Sequence, residues 1–178
     1  LKNEIKIIDQ DIQGAIARSK KDVAAWGGNN IKKVLHEINT QRSNFHAVPI
    51  GPIGQYIQLT DMKWGKAVEA VIGRSMESFL VTDAHDAGLL RRILAKCQCG
   101  HLGLFVRKFS NQVYDVTLQR AVIDRPTIFD VIRSENPMII NAMIDNHNVE
   151  QKILFETTDE TMTSTLNRQQ IKNGTAGI

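Results

Sequence analysis

The feature that most constrains the fold is a stiff turn at residues 49–54, whose sequence is Pro-Ile-Gly-Pro-Ile-Gly. Pro49 and Pro52 each fix one backbone angle, and Gly51 and Gly54 allow backbone angles that other residues avoid. A segment so rich in proline and glycine continues neither a helix nor a central strand. We therefore predict a structural turn that joins a preceding helix to a compact α/β core.

Patterns typical of helices and of strands alternate along the chain. The predicted helices cover residues 30–44, 63–73, 83–96, 126–132, 136–143 and 158–168. The predicted strands cover residues 56–59, 77–82, 102–106 and 152–155, with weaker strand or loop candidates at residues 113–116 and 121–123. Asp83 is expected to cap one helix, and Pro137 fits the first turn of another. This alternation predicts an α/β (α+β) fold.

The first 25 residues have the spacing of a coiled-coil seam. Apolar residues recur there at alternating intervals of four and three: Leu1, Ile5, Ile8, Ile12 and Ala15. The seam covers about two heptads, whereas a coiled coil is well supported by three or four. An amphipathic helix packed on the domain therefore stays open as an alternative. The chain starts without Met inside this pattern, and we expect it to be a segment of a longer protein.

Composition places the chain among ordinary globular proteins, since 42% of its 178 residues are hydrophobic and 23% are charged. These values exclude a disordered chain. The formal net charge of +3 is too small to indicate a nucleic-acid partner by itself. Cys97 and Cys99 lie too close together to staple a fold, and no apolar run approaches the roughly 20 residues that span a bilayer.

The order of these motifs resembles the hinge domain of structural maintenance of chromosomes (SMC) proteins. In that family a coiled-coil arm ends in a Gly-Pro-Ile/Leu-Gly turn, which a strand and a Trp-x-x-Ala-Val/Ile-Glu helix follow. The matching blocks are residues 49–73, 78–83, 109–116, 126–132, 136–145 and 149–155. Residues 109–116 read Phe-Ser-Asn-Gln-Val-Tyr-Asp-Val, which is most like the sixth-type eukaryotic subunit.

The resemblance implies an SMC hinge-like globule of two small mixed α/β subdomains. It implies a coiled-coil arm stub at residues 1–25, a connecting helix at residues 26–48 and a hinge globular domain at residues 49–178. Family hinges continue into a further strand and a returning arm, so we expect truncation at the C-terminal end. The family's ATPase heads lie at the far end of the arm, so ATP binding would belong to the full-length protein only.

The implied function is to join two arms of a nuclear complex for chromosome maintenance, DNA repair and DNA recombination. The expected partner is the hinge of a fifth-type subunit, with no membrane partner and no small-molecule substrate. Pairing of hinges extends sheets edge to edge, and residues 102–106 and 153–155 are the expected contributors. The candidate interface residues are Leu102, Leu104, Val106, Ile153, Phe155, Gly174 and Gly177. The two glycines match the family's glycine cluster poorly.

Five basic residues and no acidic one occur between residues 91 and 108: Arg91, Arg92, Lys96, Arg107 and Lys108. If the helix and the strand that carry them lie side by side, these charges converge on one face. Such a face binds DNA phosphates without sequence preference and weakens with salt. The alternative is an ordinary solvated helix face beside a strand end. SMC hinges commonly bind DNA, which favours binding, of single-stranded or double-stranded DNA.

Two short motifs invite a metal or catalytic interpretation. Residues 97–101 offer Cys97, Cys99 and His101, but a structural zinc site needs four ligands, and a second ligand pair is not evident. Residues 83–86 contain a His85-Asp86 pair where a helix begins, and acidic residues are expected there as caps. We expect no metal, no cofactor and no catalysis. A stand-alone nucleic-acid-binding α/β module and a small α/β enzyme with an unrecognised site remain the alternatives.

Overall fold

The computed structural model describes Trp26 and residues 28–156 of the 178-residue chain. Its helices are α1 (Ile31–Thr40), α2 (Gly65–Ile72), α3 (Ala84–Lys96), α4 (Ile128–Val131) and α5 (Pro137–His147). Its strands are β1 (Gln58–Leu59), β2 (Phe79–Val81), β3 (Leu104–Val106) and β4 (Ile132–Arg133). The predicted coiled coil, the predicted helix at residues 158–168, Gly174 and Gly177 lie outside the described residues.

Two small sheets connect these elements. β2 and β3 are parallel, with Phe79 opposite Leu104 and Val81 opposite Val106. β1 and β4 are antiparallel and pair at residues 58–59 and 132–133. Together with the helices they confirm the α/β prediction, although each sheet has only two strands.

Several predicted elements differ from the observed ones at their ends or in type. The helix predicted at residues 126–132 is the single turn Ile128–Val131, and the chain then enters β4. Of the strand predicted at residues 152–155, the described part of the chain shows an isolated bridge between Ile153 and Thr127. Residues 113–116 and 121–123 form no strand. Continuous apolar runs of this length indicate burial but do not distinguish a strand from a helical turn.

The hydrophobic core has two main clusters on opposite faces of β2. Phe79 and Val81 face a cluster in which α1 packs against α3, whereas Leu80 faces a cluster built around α2 and α5. This division follows from the alternation of side chains along a strand. α5 lies deep in its cluster, since residues 138–144 are all buried. β2 therefore lies between the two clusters and contributes side chains to both.

The turn at residues 49–54 packs on β2. The backbones of Ile50 and Leu80 exchange two hydrogen bonds of 3.0 and 2.8 Å, and the Ile53 N–H donates to the Ser78 C=O at 3.0 Å. Pro49, Gly51, Pro52 and Gly54 are all buried. A Cβ atom at Gly54 would lie 2.6 Å from the Trp26 ring, so this position has no room for a side chain.

Side-chain caps set the starts of the two longest helices. The Asp83 carboxylate accepts a hydrogen bond from the Asp86 N–H at the start of α3, as the sequence predicted. Asn136 caps α5 in the same way, with Pro137 in its first turn. Capping satisfies N–H groups that have no partner within the helix. Among the described residues, none of the helices combines the length and the apolar character that crossing a membrane requires.

Candidate partner-binding edge and neighbouring charged clusters

β3 pairs with β2 along one side only. The Gly103 C=O accepts a hydrogen bond from Phe79 at 2.9 Å, and the Arg107 N–H donates to Val81 at 2.8 Å. Because backbone groups alternate in direction along a strand, those of Leu104 and Val106 point to the opposite side. No other segment within residues 28–156 pairs with that side. We call it the β3 edge.

A groove lies between the β3 edge and α3. Its volume is about 390 Å³, and Arg91, Leu94, Ala95, Gly100, Leu102 and Leu104 line it. Leu94 and Leu102 are almost fully buried, and Val106, two residues after Leu104 on β3, is 49% exposed. The groove is therefore mainly apolar, with one basic side chain at its rim.

The structure divides the predicted interface residues into two groups. Leu104 and Val106 lie on the β3 edge, and Leu102 lines the groove. Ile153 and Phe155 instead pack inside the chain with Ala121, and Ile153 has no exposed surface. Within this chain these two side chains are core residues, and their contact with a partner stays a prediction.

The predicted basic residues also lie in different local environments. Arg107 forms an ion pair of 2.7 Å with Asp145 of α5, and Lys96 forms one of 3.0 Å with Glu37 of α1. Arg91 borders the groove beside β3, while Arg92 and Lys108 are exposed and have no ion pair among the described residues. The five charges therefore do not form one uniform patch, because acidic partners neutralise two of them.

A basic cavity that the sequence analysis missed lies between α1 and the end of α3. Its volume is about 510 Å³, and its lining includes Lys32, Lys33, His36, Glu37 and Lys96. The lysines of α1 were visible in the sequence as an exposed helix face. What the sequence did not show is that α1 packs on α3 and brings them close to Lys96.

A buried carboxylate ties the loop after α1 to the start of α3. Asp86 has no exposed surface, and its two oxygens accept hydrogen bonds from the backbone N–H groups of His46 and Ala47 at 2.9 and 3.0 Å. Burial acts to raise the pKa of Asp86, but these two bonds and one from His85 outweigh it and hold the pKa below its ordinary value. Asp86 therefore stays ionised inside the protein.

Two histidine rings stack on each other next to Asp86. The rings of His46 and His85 are 4.5 Å apart between centroids and 19° from parallel. His46 Nδ1 lies 2.7 Å from Asp83 Oδ2, and His85 Nδ1 lies 3.1 Å from Asp86 Oδ1. The hydrogen bond and the negative charge of Asp83 raise the pKa of His46. The pKa of Asp83 is lowered, mainly by the hydrogen bond from the backbone N–H of Asp86 and next by the hydrogen bond with His46.

The cysteine motif lies in a different environment. Cys97 and Cys99 are both buried and free, and the Cys99 Sγ contacts the Cys97 carbonyl at 3.5 Å. Burial raises the pKa of the Cys99 thiol above its ordinary value. A protonated, buried thiol is a poor metal ligand and a poor nucleophile.

Comparison with known proteins points to one family. No family model matches the chain. It is 35% identical over 161 residues to the structural maintenance of chromosomes protein 6 homolog smc-6 of Caenorhabditis elegans, which covers 87% of this chain and 14% of the relative. It is 30% identical over 157 residues to the structural maintenance of chromosomes protein 6B of Arabidopsis thaliana, and this match covers 87% of this chain and 15% of the relative. The chain thus spans about a seventh of the length of these relatives.

A solved structure shares the fold. The crystal structure of the S. pombe Smc5/6 hinge domain superposes with a TM-score of 0.77 at 24% identity, and the match covers 96% of this chain and 62% of that chain. The chain therefore has the fold of a hinge domain and belongs to the structural maintenance of chromosomes family, in which it is most like the sixth-type subunit.

Proposed function

We propose that this hinge domain joins two coiled-coil arms by pairing with the hinge of a fifth-type subunit. The observation that carries the proposal is the β3 edge, where the backbone groups of Leu104 and Val106 pair with no other segment of residues 28–156 and lie next to an apolar groove. A strand added to such an edge gains main-chain hydrogen bonds, and its alternate side chains enter the neighbouring groove. Exposed edges left without a partner are a hazard that folded proteins usually block.

The chain's relatives support the choice of partner and setting. The S. pombe hinge structure carries the names of both Smc5 and Smc6, which fits a pair of unlike hinges. We extend this to a role in a nuclear, chromosome-associated complex for DNA repair and recombination. Binding and hydrolysis of ATP would then occur in other parts of the full-length protein, and the hinge itself would associate without catalysing a reaction.

Replacing Val106 with Lys is expected to weaken pairing with a fifth-type hinge. Val106 is 49% exposed on the β3 edge, so the change leaves the core intact and places a charge where the added strand must lie. We expect the dissociation constant to rise at least about tenfold, or about 1.4 kcal/mol. Sedimentation of the 178-residue chain mixed with a fifth-type hinge measures this value.

Met62→Lys is the matched control, because Met62 is 80% exposed and lies outside the β3 edge. This variant adds the same charge and should pair like the unchanged chain. If Val106→Lys paired equally well, the β3 edge would not be the interface. If the unchanged chain did not pair at all, the proposed function would be wrong for this segment.

A second candidate function, auxiliary binding of DNA, is favoured by the basic cavity between α1 and α3. Lys32, Lys33 and Lys96 line it together with one acidic residue, Glu37. Exposed lysines grouped in this way bind phosphates without reading base sequence. Arg92 and Lys108, which are exposed elsewhere, would add to the same attraction.

The double variant Lys32→Glu with Lys33→Glu is expected to weaken binding of single-stranded and double-stranded oligonucleotides. Each lost phosphate contact should reduce the slope of log affinity against log salt by about one. Fluorescence anisotropy over a series of salt concentrations measures both quantities. Arg74→Glu changes the charge at an exposed site outside these helices and serves as the control. Equal slopes for all three proteins would exclude the cavity as a DNA site.

A further inference from the structure

A cluster of four metal-ligating side chains lies at the start of α3: His46, Asp83, His85 and Asp86. One ligand atom from each lies within 4.8 Å of one from every other. Neither pairing between hinges nor DNA binding uses this cluster. In the sequence, its acidic residues indicate helix caps, and no pattern connects them with His46.

We propose that this cluster binds one divalent transition-metal ion of the zinc class, through His46, His85 and Asp83. Two imidazoles and a carboxylate suit late first-row metals such as Zn²⁺ and Ni²⁺, whereas Mg²⁺ and Ca²⁺ prefer oxygen ligands alone. Three protein ligands leave one tetrahedral position for water. The ligands lie at the surface, so the ion enters without opening the fold.

The geometry brings the ligands near metal-binding distances. His46 Nδ1 and Asp83 Oδ2 are 2.7 Å apart. Neighbouring ligands of a tetrahedral zinc ion lie about 3.3 Å apart, since each metal–ligand distance is about 2.0–2.1 Å. A small outward movement of two exposed side chains therefore makes room for the ion between them. The stacked ring of His85, 4.5 Å from that of His46 between centroids, keeps its Nδ1 atom toward Asp86, which leaves its Nε2 atom as the third ligand.

Asp86 acts as a positioning residue in this proposal. It holds the His46 backbone through an N–H bond of 2.9 Å and contacts the His85 ring at 3.1 Å. The two histidines thus come from segments far apart in the sequence but are held by one buried carboxylate. Carboxylates that orient metal-binding histidines in this way commonly contribute to affinity.

Calorimetric titration of the 178-residue chain with ZnCl₂ tests the proposal. We expect one equivalent of zinc, and at least about a tenfold loss of affinity in His46→Ala and in His85→Ala. His46→Ala removes an exposed side chain and leaves its backbone bond to Asp86 in place. Asp83→Asn should also weaken binding while keeping the helix cap, because Asn caps helices as well as Asp does.

The controls separate this cluster from other donors. His36→Ala removes an exposed histidine on α1 and should bind zinc like the unchanged chain. With Co²⁺ as the probe, we expect weak visible bands and no thiolate charge-transfer band. A charge-transfer band would assign the metal to Cys97 or Cys99 and overturn the proposal. So would unchanged affinity in both histidine variants, or binding of Mg²⁺ as tight as that of Zn²⁺.

Discussion

Replacing Gly51 with Ala is expected to lower the free energy of unfolding by about 3 kcal/mol, at the upper end of the usual cost of overpacking. A Cβ atom at this position would lie 2.6 Å from the Cδ1 atom and 3.0 Å from the Cα atom of Phe79. A flexible side chain could turn away from such a contact. A backbone atom in the middle of a sheet cannot do so.

Phe79 has little freedom to move. Its side chain is fully buried, and its N–H donates to Gly103 at 2.9 Å across the β2–β3 pair. On the other side of β2, Leu80 is bonded to Ile50, the residue before Gly51. Any movement that relieves the clash must therefore break bonds on one side of β2 or the other.

Urea denaturation of Gly51→Ala and of Gly100→Ala measures this effect. Gly100 is exposed, and a Cβ atom there would meet no atom within 4 Å, so this control should change the stability by less than about 0.5 kcal/mol. Equal stability of the two variants would show that β2 yields to the extra methyl group. It would also mean that the Pro-Ile-Gly-Pro turn is not fixed against the sheet.

The sequence predicted features whose causes are local. Asp83 was recognisable as a cap because a short polar side chain precedes an apolar helical pattern, and Pro137 was recognisable as a residue of a first helical turn. The turn at residues 49–54 was evident because proline and glycine restrict the backbone wherever they occur.

Features that depend on distant residues were not predictable in this way. The sequence presents Arg107 as one of several basic residues without an acidic neighbour, but in the fold Asp145 of α5 lies 2.7 Å from it. His46 joins Asp83 across 37 positions of the chain, and neither residue marks the other in the sequence. Ile153 lies in a short apolar run that is typical of an edge strand, but its side chain packs in a buried cluster with Ala121 and Phe155. Only the packing of elements decides which apolar run is covered by the chain itself.

Two of the sequence blocks that pointed to the hinge family meet at one side chain. Asn141 of α5 is fully buried, and its Oδ1 accepts a hydrogen bond of 2.9 Å from the Tyr114 N–H. Its Nδ2 donates to the Gln112 C=O, also at 2.9 Å. The side-chain amide of Asn141 thus accepts one hydrogen bond from the backbone of this irregular loop and donates another to it. Blocks 109–116 and 136–145 therefore form one structural unit.

Replacing Asn141 with Ala is accordingly expected to cost about 2–3 kcal/mol, because the Tyr114 N–H loses its acceptor and the Gln112 C=O keeps only a longer bond of 3.3 Å from the Ser110 hydroxyl. Urea denaturation gives the loss, and hydrogen exchange at the Tyr114 amide should accelerate beyond the change expected from global stability. Asn146→Ala is the matched control, since Asn146 lies exposed on the same helix and its side chain donates a hydrogen bond within that helix, to the Ala142 C=O. Asn141→Asp keeps the acceptor for Tyr114 but sets a second carboxylate oxygen against the Gln112 carbonyl, so it should also be destabilised. A stable Asn141→Asp variant would mean that the Tyr114 bond alone holds the loop on α5.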